Sequence, residues 1–437
     1  MVYEIIIGRN EEDKKKFGKK GIVYLGKSYV KMGEYTSLSN PIYLDIARTH
    51  VILIAGKRGS GKSYTASVIS EEMARLPNDV KKNVGVLFFD TLGVFWTMKY
   101  PNKRQDELLR KWDLEPEGLD VKIYTPKGMY NYYKEKEIPT DASFSIKTSE
   151  LDAADWCNVF EIEITSPIGV LIDRVLNELR DTEYSINDIV ESINKKTVED
   201  HVKNAASNFF LNADGWGLFD ADGTKISELI QGGKVSVLDV SVYSSISGNY
   251  RVKSLVIGII CKKLLADRIS ARKLEEVQEI NESQSYLGKE VVQEKPLVWL
   301  IIDEAHNYLP KNEKLPSTDA LVHLLREGRQ PGISLILVTQ QPGEIHKDVL
   351  TQSDIVISHR LTAKADIEAL NSMMQSYLYS DLSAYLNNLP NDKGSAILLD
   401  DNSERIYPMK VHPKRTWHGG ESPSAVKVTK KEELENL

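Results

Sequence analysis

A strand, a glycine-rich loop and a helix follow one another near residue 50, and this stretch constrains the fold most. The apolar residues 51–55 predict a buried strand of a parallel sheet. The following GKRGSGKS, residues 56–63, fits G-x-x-x-x-G-K-[ST] at every position, and a helical apolar pattern continues behind it. Such glycines turn backbone N–H groups inward around phosphate oxygens, and the helix points its positive end at the same anion. The stretch predicts an α/β protein that binds a nucleoside triphosphate.

The expected contacts with ATP and Mg²⁺ come from this loop and the residue after it. Lys62 is expected to reach the β- and γ-phosphates, and the Ser63 hydroxyl to ligate Mg²⁺. The predicted nucleotide-binding residues are Gly56, Lys57, Arg58, Gly59, Ser60, Gly61, Lys62, Ser63 and Tyr64.

A second motif supplies two acids. The apolar run 296–302 predicts a buried strand, and Asp303-Glu304-Ala305-His306 follows it. Many strands end in acids, but here the pair comes about 240 residues after a complete phosphate loop. We expect Asp303 to hold Mg²⁺ through water and Glu304 to orient or deprotonate the attacking water. For His306 two readings stay open, a catalytic or γ-phosphate-sensing residue and a structural residue at a helix start.

The segment LLREGRQPG, residues 324–332, precedes another core strand, 333–338. Arg329 is predicted to reach a neighbouring subunit's γ-phosphate and to stabilise charge on the transferred group, with Arg326 as the second candidate. The alternative is a surface helix end where a cation is favourable. Gln340, at the end of that strand, is predicted to hydrogen-bond the γ-phosphate or the attacking water.

The order of patterns along the 437 residues predicts five parts. They are a short β-rich N-terminal segment (1–46), the first part of an α/β core (47–147), a helical insertion (148–223), the second part of the core (224–411) and an extended C-terminal tail (412–437). Residues 11–20 are expected to form a solvated loop, and Ser166-Pro167 a capped helix start. Residues 275–294 are polar and predict a surface loop or helix. The tail has few apolar residues, so we expect it to lie on a neighbouring subunit or to be disordered.

Composition limits the class of protein. No apolar run is long enough to span a membrane, and the N-terminus is unlike a signal peptide, so we expect a cytoplasmic protein without a membrane partner. The two cysteines have no zinc-binding spacing. A net charge of −7 argues against a surface coated for DNA but leaves a locally basic channel open. Residues 100–112 mix basic and aromatic side chains, and a solvated helix face is favoured there over a nucleic-acid contact.

The chain resembles the HerA branch of the HerA/FtsK motor ATPases in four motifs and their order. They are GKRGSGKS after HVILIA, DTLG at a strand end, LIIDEAH, and REGRQPGISLILVTQQP. The resemblance covers roughly residues 41–415. It implies a RecA-like P-loop fold assembled as a hexameric ring that pumps double-stranded DNA, in some members together with a NurA-type nuclease. It also implies a catalytic Glu304, Arg329 acting in trans, Gln340 as sensor and the tail as a brace between subunits. In the family a basic residue that contacts the nucleotide often precedes the phosphate-loop strand; this chain has His50 there and Arg48 nearby, and neither is assigned that role.

Two other functions remain open at this point. One is a nucleotide-switched ring ATPase scaffold of a defence or plasmid-transfer system, which organises a partner effector without threading DNA. The other is a monomeric metabolic kinase, which would need neither the DEAH nor the REGR element.

Overall fold

A computed structural model describes residues 3–32, 35–245, 249–283, 295–374, 382–390 and 392–420. Its strands are β1 (Ile5–Ile7), β2 (Ile22–Met32), β3 (Tyr35–Asp45), β4 (Val51–Ala55), β5 (Val84–Asp90), β6 (Val121–Pro126), β7 (Ala142–Phe144), β8 (Ile146–Lys147), β9 (Phe219–Asp220), β10 (Val235–Asp239), β11 (Leu297–Ile302), β12 (Ile333–Thr339), β13 (Ile355–His359), β14 (Ser395–Asp400) and β15 (Arg405–Val411).

The α-helices, in chain order, are α1 (Glu11–Phe17), α2 (Lys62–Ala74), α3 (Asn78–Lys81), α4 (Asp106–Arg110), α5 (Lys127–Glu135), α6 (Ala153–Phe160), α7 (Pro167–Leu179), α8 (Ile186–Asn194), α9 (Asp200–Asp214), α10 (Ile226–Leu229), α11 (Asn249–Ser283), α12 (Thr318–Glu327), α13 (Lys347–Gln352), α14 (Lys364–Met374) and α15 (Leu382–Asn388). In this part of the chain, none of the helices is long and apolar enough to cross a membrane.

Thirteen of the strands form one sheet in the order β1-β3-β2-β15-β14-β13-β4-β12-β11-β5-β10-β6-β7. The run from β13 to β7 is parallel, and β14, β15 and β2 continue it with antiparallel pairs. The mainly parallel sheet of a RecA-like P-loop fold is therefore confirmed. The N-terminal strands extend this sheet, because β2 pairs with β15.

Both faces of the sheet are covered, which explains why its central strands are apolar along their whole length. In β4, Val51, Leu53 and Ala55 face the hydrophobic cluster under the helical insertion. Ile52 and Ile54 face the opposite cluster, which packs under α2 and the N-terminal strands. Every residue of β4 is consequently buried.

Helices α6 to α9 fill the predicted helical region, and their starts follow from local capping. The Ser166 side chain accepts the backbone N–H of Gly169, and Pro167 occupies the first helical turn. For α6 the cap is Asp152, whose carboxylate accepts the backbone N–H of Asp155, while the Asp155 carboxylate accepts the backbone N–H of Asp152. The boundaries of the five predicted parts stay a prediction.

The expectation of a solvated loop at residues 11–20 was wrong, because α1 forms there. The Asn10 side chain accepts the backbone N–H of Asp13 at the helix start. Acidic residues occupy the first turn and lysines the last, so both ends complement the helix dipole. The charge-rich stretch that indicated a loop is therefore a helix, stabilised by acids at its start and lysines at its end.

The C-terminal segment, which we define as residues 412–420, packs on its own subunit. It runs from β15 across α2 to the region after β5, where Pro101 forms a bridge with Thr416. Inside, the buried Glu71 carboxylate of α2 accepts the backbone N–H groups of Arg415 and Thr416 at 2.9 and 3.3 Å. For these residues, the expected brace on a neighbouring subunit was wrong. Residues 421–437 of the predicted tail, and 284–294 of the polar stretch, lie outside the described residues.

Candidate active site

Parallel strands place both predicted motifs at one edge of the sheet, where the carboxyl ends of the strands meet. We call this the carboxyl edge and the opposite one the amino edge. The carboxyl edge collects the phosphate loop after β4, Asp90 at the end of β5, Asp239 at the end of β10, Asp303 after β11, Thr339 and Gln340 at the end of β12, and His359 at the end of β13.

The phosphate loop depends on glycines at defined positions. Gly59 and Gly61 have φ angles of 74° and 111°, which side chains rarely adopt. A Cβ on Gly56 would lie 2.5 Å from Ser60 Oγ and 2.7 Å from His359 Cβ. The Lys57 carbonyl oxygen accepts the Ser60 hydroxyl at 2.8 Å and Lys62 Nζ at 3.2 Å. Two side chains of the loop, those of Ser60 and Lys62, thus hydrogen-bond to the same carbonyl of the loop backbone.

The two motifs touch through Ser63 and Asp303. The Ser63 hydroxyl donates to Asp303 Oδ2 at 2.8 Å. Burial, and next the neighbouring Glu304 carboxylate, raise the pKa of Asp303 to about 6. A hydroxyl and a carboxylate oxygen at one point are the hard ligands that Mg²⁺ takes from proteins when phosphates and water supply the rest. The donor set therefore fits the predicted ion.

Glu304 is held in an unusual backbone conformation. Its φ of 51° is left-handed, which costs a non-glycine residue about 1 kcal/mol or more. Gln340 Nε2 donates to Glu304 Oε1, so the predicted sensor and the predicted base are in contact. Within the described residues, Oε2 of Glu304 is buried without a hydrogen-bond partner, and the His306 ring lies 3.6 Å away. Glu304 thus combines an unusual backbone conformation with one carboxylate oxygen that makes no hydrogen bond within the described residues.

His306 is close to both elements of this pair. Its Nδ1 lies 3.1 Å from Thr339 Oγ1, and burial lowers its pKa. The ring therefore links the turn after β11 to the end of β12. The contacts are compatible with either role predicted for His306.

Asp90 ends β5 at the same edge, but its carboxylate oxygens hydrogen-bond to the adjacent turn. They accept backbone N–H groups of the turn that follows, residues 92–95. Burial, and next the Asp239 carboxylate, raise the pKa of Asp90 to about 7. Asp90 thus shapes the loop beside the site, and the Thr91 hydroxyl reaches the Asp303 carbonyl at 3.4 Å.

His359 is a neighbour of the loop that the sequence did not reveal. Its Nδ1 lies 3.0 Å from the Ser395 carbonyl, which can only accept, so Nδ1 carries the proton. Nε2 is then an acceptor 2.9 Å from the Thr65 hydroxyl. Burial lowers the pKa of His359 to about 4. A neutral ring therefore braces the first turn of α2, and no motif around HR at 359–360 signals it.

Lys57, Arg58 and Tyr64 belong to the predicted nucleotide set, and their contacts with a nucleotide stay a prediction. The side chains of Lys57 and Arg58 are exposed at the loop. The Tyr64 hydroxyl donates to Gln105 at 2.9 Å and accepts the backbone N–H of Lys414. Its side chain is therefore engaged with the C-terminal segment, while its backbone follows the phosphate loop.

Arg329 lies at the amino edge, away from its own phosphate loop. It precedes β12, whereas the loop follows β4, and these strands are parallel neighbours. At about 3.3 Å per residue, the five residues of β4 separate the two edges by about 17 Å. The Arg329 side chain is 51% exposed and pairs with Asp354 at 3.3 Å. Arg326 pairs with Asp348 at 2.6 Å.

His50 is at the amino edge as well. Its ring is buried, with Nδ1 2.7 Å from Asp354 Oδ2 and Nε2 3.4 Å from Asp45 Oδ2. It precedes β4, so the whole strand separates it from the loop of its own chain. His50 therefore lies away from the nucleotide-binding edge of its own chain.

Comparison with known proteins identifies the family. The family described as "Helicase HerA, central domain" matches residues 30–264, more than half of the chain. The chain belongs to the HerA helicase family. It is an ATPase of that family. A second family, "Zonular occludens toxin (Zot)", matches residues 250–373.

The relatives and the fold agree with this assignment. The "Probable DNA double-strand break repair helicase HerA" of Methanocaldococcus jannaschii is 25% identical over 79% of this chain and 69% of its own length. The "DNA double-strand break repair helicase HerA" of Saccharolobus solfataricus is 22% identical over 86% of this chain and 67% of its own. The structure of VirB4 of Thermoanaerobacter pseudethanolicus superposes with a TM-score of 0.54 at 14% identity, covering 90% of this chain and 96% of that one.

Proposed function

We propose that this HerA-family ATPase is a double-stranded DNA translocase, powered by Mg²⁺ and ATP and assembled as a hexameric ring. DNA end processing or repair, with a NurA-like nuclease or another effector as partner, is the expected setting. The curated relatives named as DNA double-strand break repair helicases support the substrate.

One observation carries the proposal for how the site works: Arg329 lies on the opposite edge of the sheet from Lys62. A half-exposed arginine there cannot reach the phosphate loop of its own subunit. It is well placed to meet the loop of a neighbour that stacks carboxyl edge against amino edge. Repeating such a head-to-tail contact closes a ring when the rotation permits it. A ring also offers a pore where duplex DNA fits.

Within each subunit the roles follow from the contacts. The loop N–H groups and Lys62 would bind the β- and γ-phosphates, and Ser63 with Asp303 would hold Mg²⁺, which neutralises developing phosphate charge. Glu304, with one oxygen on Gln340 and the other free, would accept a proton from the attacking water. Gln340, the predicted sensor, would change its hydrogen bond to Glu304 when the γ-phosphate leaves. Arg329 of the next subunit would stabilise the charge that develops during transfer.

The alternative is a nucleotide-switched ring scaffold of a defence or plasmid-transfer system. It shares the split site but needs no DNA. The net charge of −7 gives it some support.

The rate of ATP hydrolysis with and without linear duplex DNA distinguishes the translocase from the scaffold. A translocase should hydrolyse ATP about tenfold or more faster with long duplex DNA than without it, and should displace a third strand annealed to the duplex. Lys62→Ala should abolish both signals. Unchanged turnover with duplex DNA would eliminate the translocase and leave the scaffold.

The split site has its own test, by complementation. Subunits with Arg329→Ala keep an intact phosphate loop but lack the arginine that is offered to the neighbouring subunit, which we call the finger. Subunits with Lys62→Ala have the finger but cannot bind the phosphates. Each should be inactive alone, and a mixture should regain turnover at interfaces where the second kind serves the first. A mixture as inactive as its components would rule out the trans arrangement.

A further inference from the structure

Five charged side chains form a line at the amino edge, with alternating sign. Arg9 Nε donates to Asp45 Oδ1 at 3.0 Å, and the other Asp45 oxygen faces His50 Nε2 at 3.4 Å. His50 Nδ1 is 2.7 Å from Asp354, which in turn lies 3.3 Å from Arg329 Nη2. The line joins the N-terminal strands to the predicted finger.

Four members of the line are fixed, and the fifth is free to move. The first four are between 0 and 8% exposed, whereas the Arg329 side chain is half exposed. Asp354 is also held by the backbone, because the N–H of Val51 donates to its Oδ1 at 2.8 Å. Arg329 is therefore the end of the line that can leave without breaking the core.

The charge of His50 decides how strongly Asp354 holds Arg329. Burial alone would lower the pKa of His50, but its bonds to Asp354 and Asp45 outweigh burial and raise the pKa to about 9. His50 is thus a cation at neutral pH. With Arg329 removed, two cations and two carboxylates remain in the line. Asp400 also faces His50, and its carboxylate accepts the Ser403 hydroxyl at 2.7 Å.

We propose that His50 and Asp354 are positioning residues for Arg329, which hold its guanidinium at the exposed edge and release it to a neighbouring subunit. Asp354 keeps the side chain in place while no phosphate is near. The cationic ring of His50 shares the Asp354 charge, so Arg329 can leave without exposing Asp354 as an unpaired buried anion. This proposal rests on the trans role of Arg329 proposed above.

The charges in this line predict the effect of each substitution. His50→Gln keeps a hydrogen-bond donor but removes the charge, so Asp354 binds Arg329 more tightly and turnover at the served site should fall about tenfold. Asp354→Asn removes the anchor and should lower that turnover only about threefold. The double variant should match Asp354→Asn alone, because without the carboxylate the charge at position 50 no longer acts on Arg329.

The complementation mixture tests this with a built-in control. The substitutions are placed either in the subunit that supplies the finger, which carries Lys62→Ala, or in the subunit that supplies the site, which carries Arg329→Ala. Loss is expected only in the first placement, because the second subunit has no finger to position. A structural defect would instead lower turnover in both placements. A finger-supplying subunit that carries both Lys62→Ala and Arg329→Ala has no finger to supply, so its mixture gives the background turnover.

The outcomes separate the two proposals. Equal loss in both placements, or a double variant worse than either single one, overturns the positioning role and leaves the trans finger intact. No turnover in the parent mixture overturns the trans finger and the positioning role with it. If His50→Gln subunits fail to join the ring, Asp354→Asn decides alone. Its loss must then be confined to the placement in the finger-supplying subunit, and no loss there overturns the proposal.

Discussion

Removing the Glu71 carboxylate is expected to release the C-terminal segment from α2. Glu71 is almost fully buried and accepts three hydrogen bonds, from the backbone of Arg415 and from the backbone and hydroxyl of Thr416. It is also the main compensating charge for Lys414, whose pKa burial lowers to about 8. Glu71→Ala would leave the three donors without their acceptor. It would also leave the Lys414 ammonium, which donates to the Trp417 carbonyl at 3.1 Å, without its compensating charge.

The expected cost follows from that count. Leaving a buried charge uncompensated and its neighbouring donors without an acceptor costs about 3–5 kcal/mol. Glu71→Gln keeps an acceptor oxygen for the two donors of Thr416 but sets its NH2 against the backbone N–H of Arg415. It should cost about 1–3 kcal/mol, for that lost hydrogen bond and for the uncompensated charge of Lys414. Adding Lys414→Met to Glu71→Gln removes that charge and should recover the part of the loss that the charge causes.

Urea unfolding followed by tryptophan fluorescence measures these free energies, and Trp417 lies within the segment. Trypsin provides a local readout, because release of the segment opens the bond after Arg415 to cleavage. Glu368→Ala removes an exposed carboxylate paired with Lys364 at 3.5 Å and serves as control, with an expected change below about 0.5 kcal/mol. If Glu71→Ala is as stable and as trypsin-resistant as the control, the segment does not pack on its own α2.

The remaining predictions concern catalysis, acid stability and a helix cap. Glu304→Gln should bind ATP normally yet hydrolyse it about 10²–10³-fold more slowly, measured by nucleotide titration and phosphate release; near-normal turnover would remove Glu304 from its role. The pKa of His359 is held near 4, so the unfolded chain binds a proton that the folded chain refuses. Its contribution is full above pH 6.5 and falls by about 2–3 kcal/mol towards pH 4, and His359→Asn should flatten that slope in urea titrations. An equal slope in the variant would contradict this. Ser166→Ala should cost about 1 kcal/mol by losing the cap of α7, and a change under 0.3 kcal/mol would show that the cap is dispensable.

The sequence predicted the core sheet and the contacting halves of the site because both depend on short-range patterns. Five apolar residues before a phosphate loop can only be a strand covered on both faces. Since parallel strands meet at one edge, Ser63 and Asp303 had to approach each other despite their separation in the chain. Their 2.8 Å hydrogen bond is the result.

What the sequence missed depends on polar contacts between distant residues. The C-terminal segment looked unable to pack because it has few apolar side chains, but Glu71 anchors it through backbone N–H groups that any sequence carries. Likewise, nothing near His50 indicates Asp354, 304 residues away, as its partner. At residues 11–20 the charge-rich composition hid the cap at Asn10, which makes a helix of the expected loop.

The central claim is a hexameric ring whose nucleotide sites are shared between subunits. The mass of the particle that the Glu304→Gln variant forms with ATP, measured with and without a long linear duplex, tests this claim most directly. Slow hydrolysis in this variant should hold the nucleotide at each interface, where Arg329 of the neighbour meets it. We expect a particle of six copies that retains the duplex, and loss of that particle when Arg329→Ala is added. Single copies under every condition would contradict it.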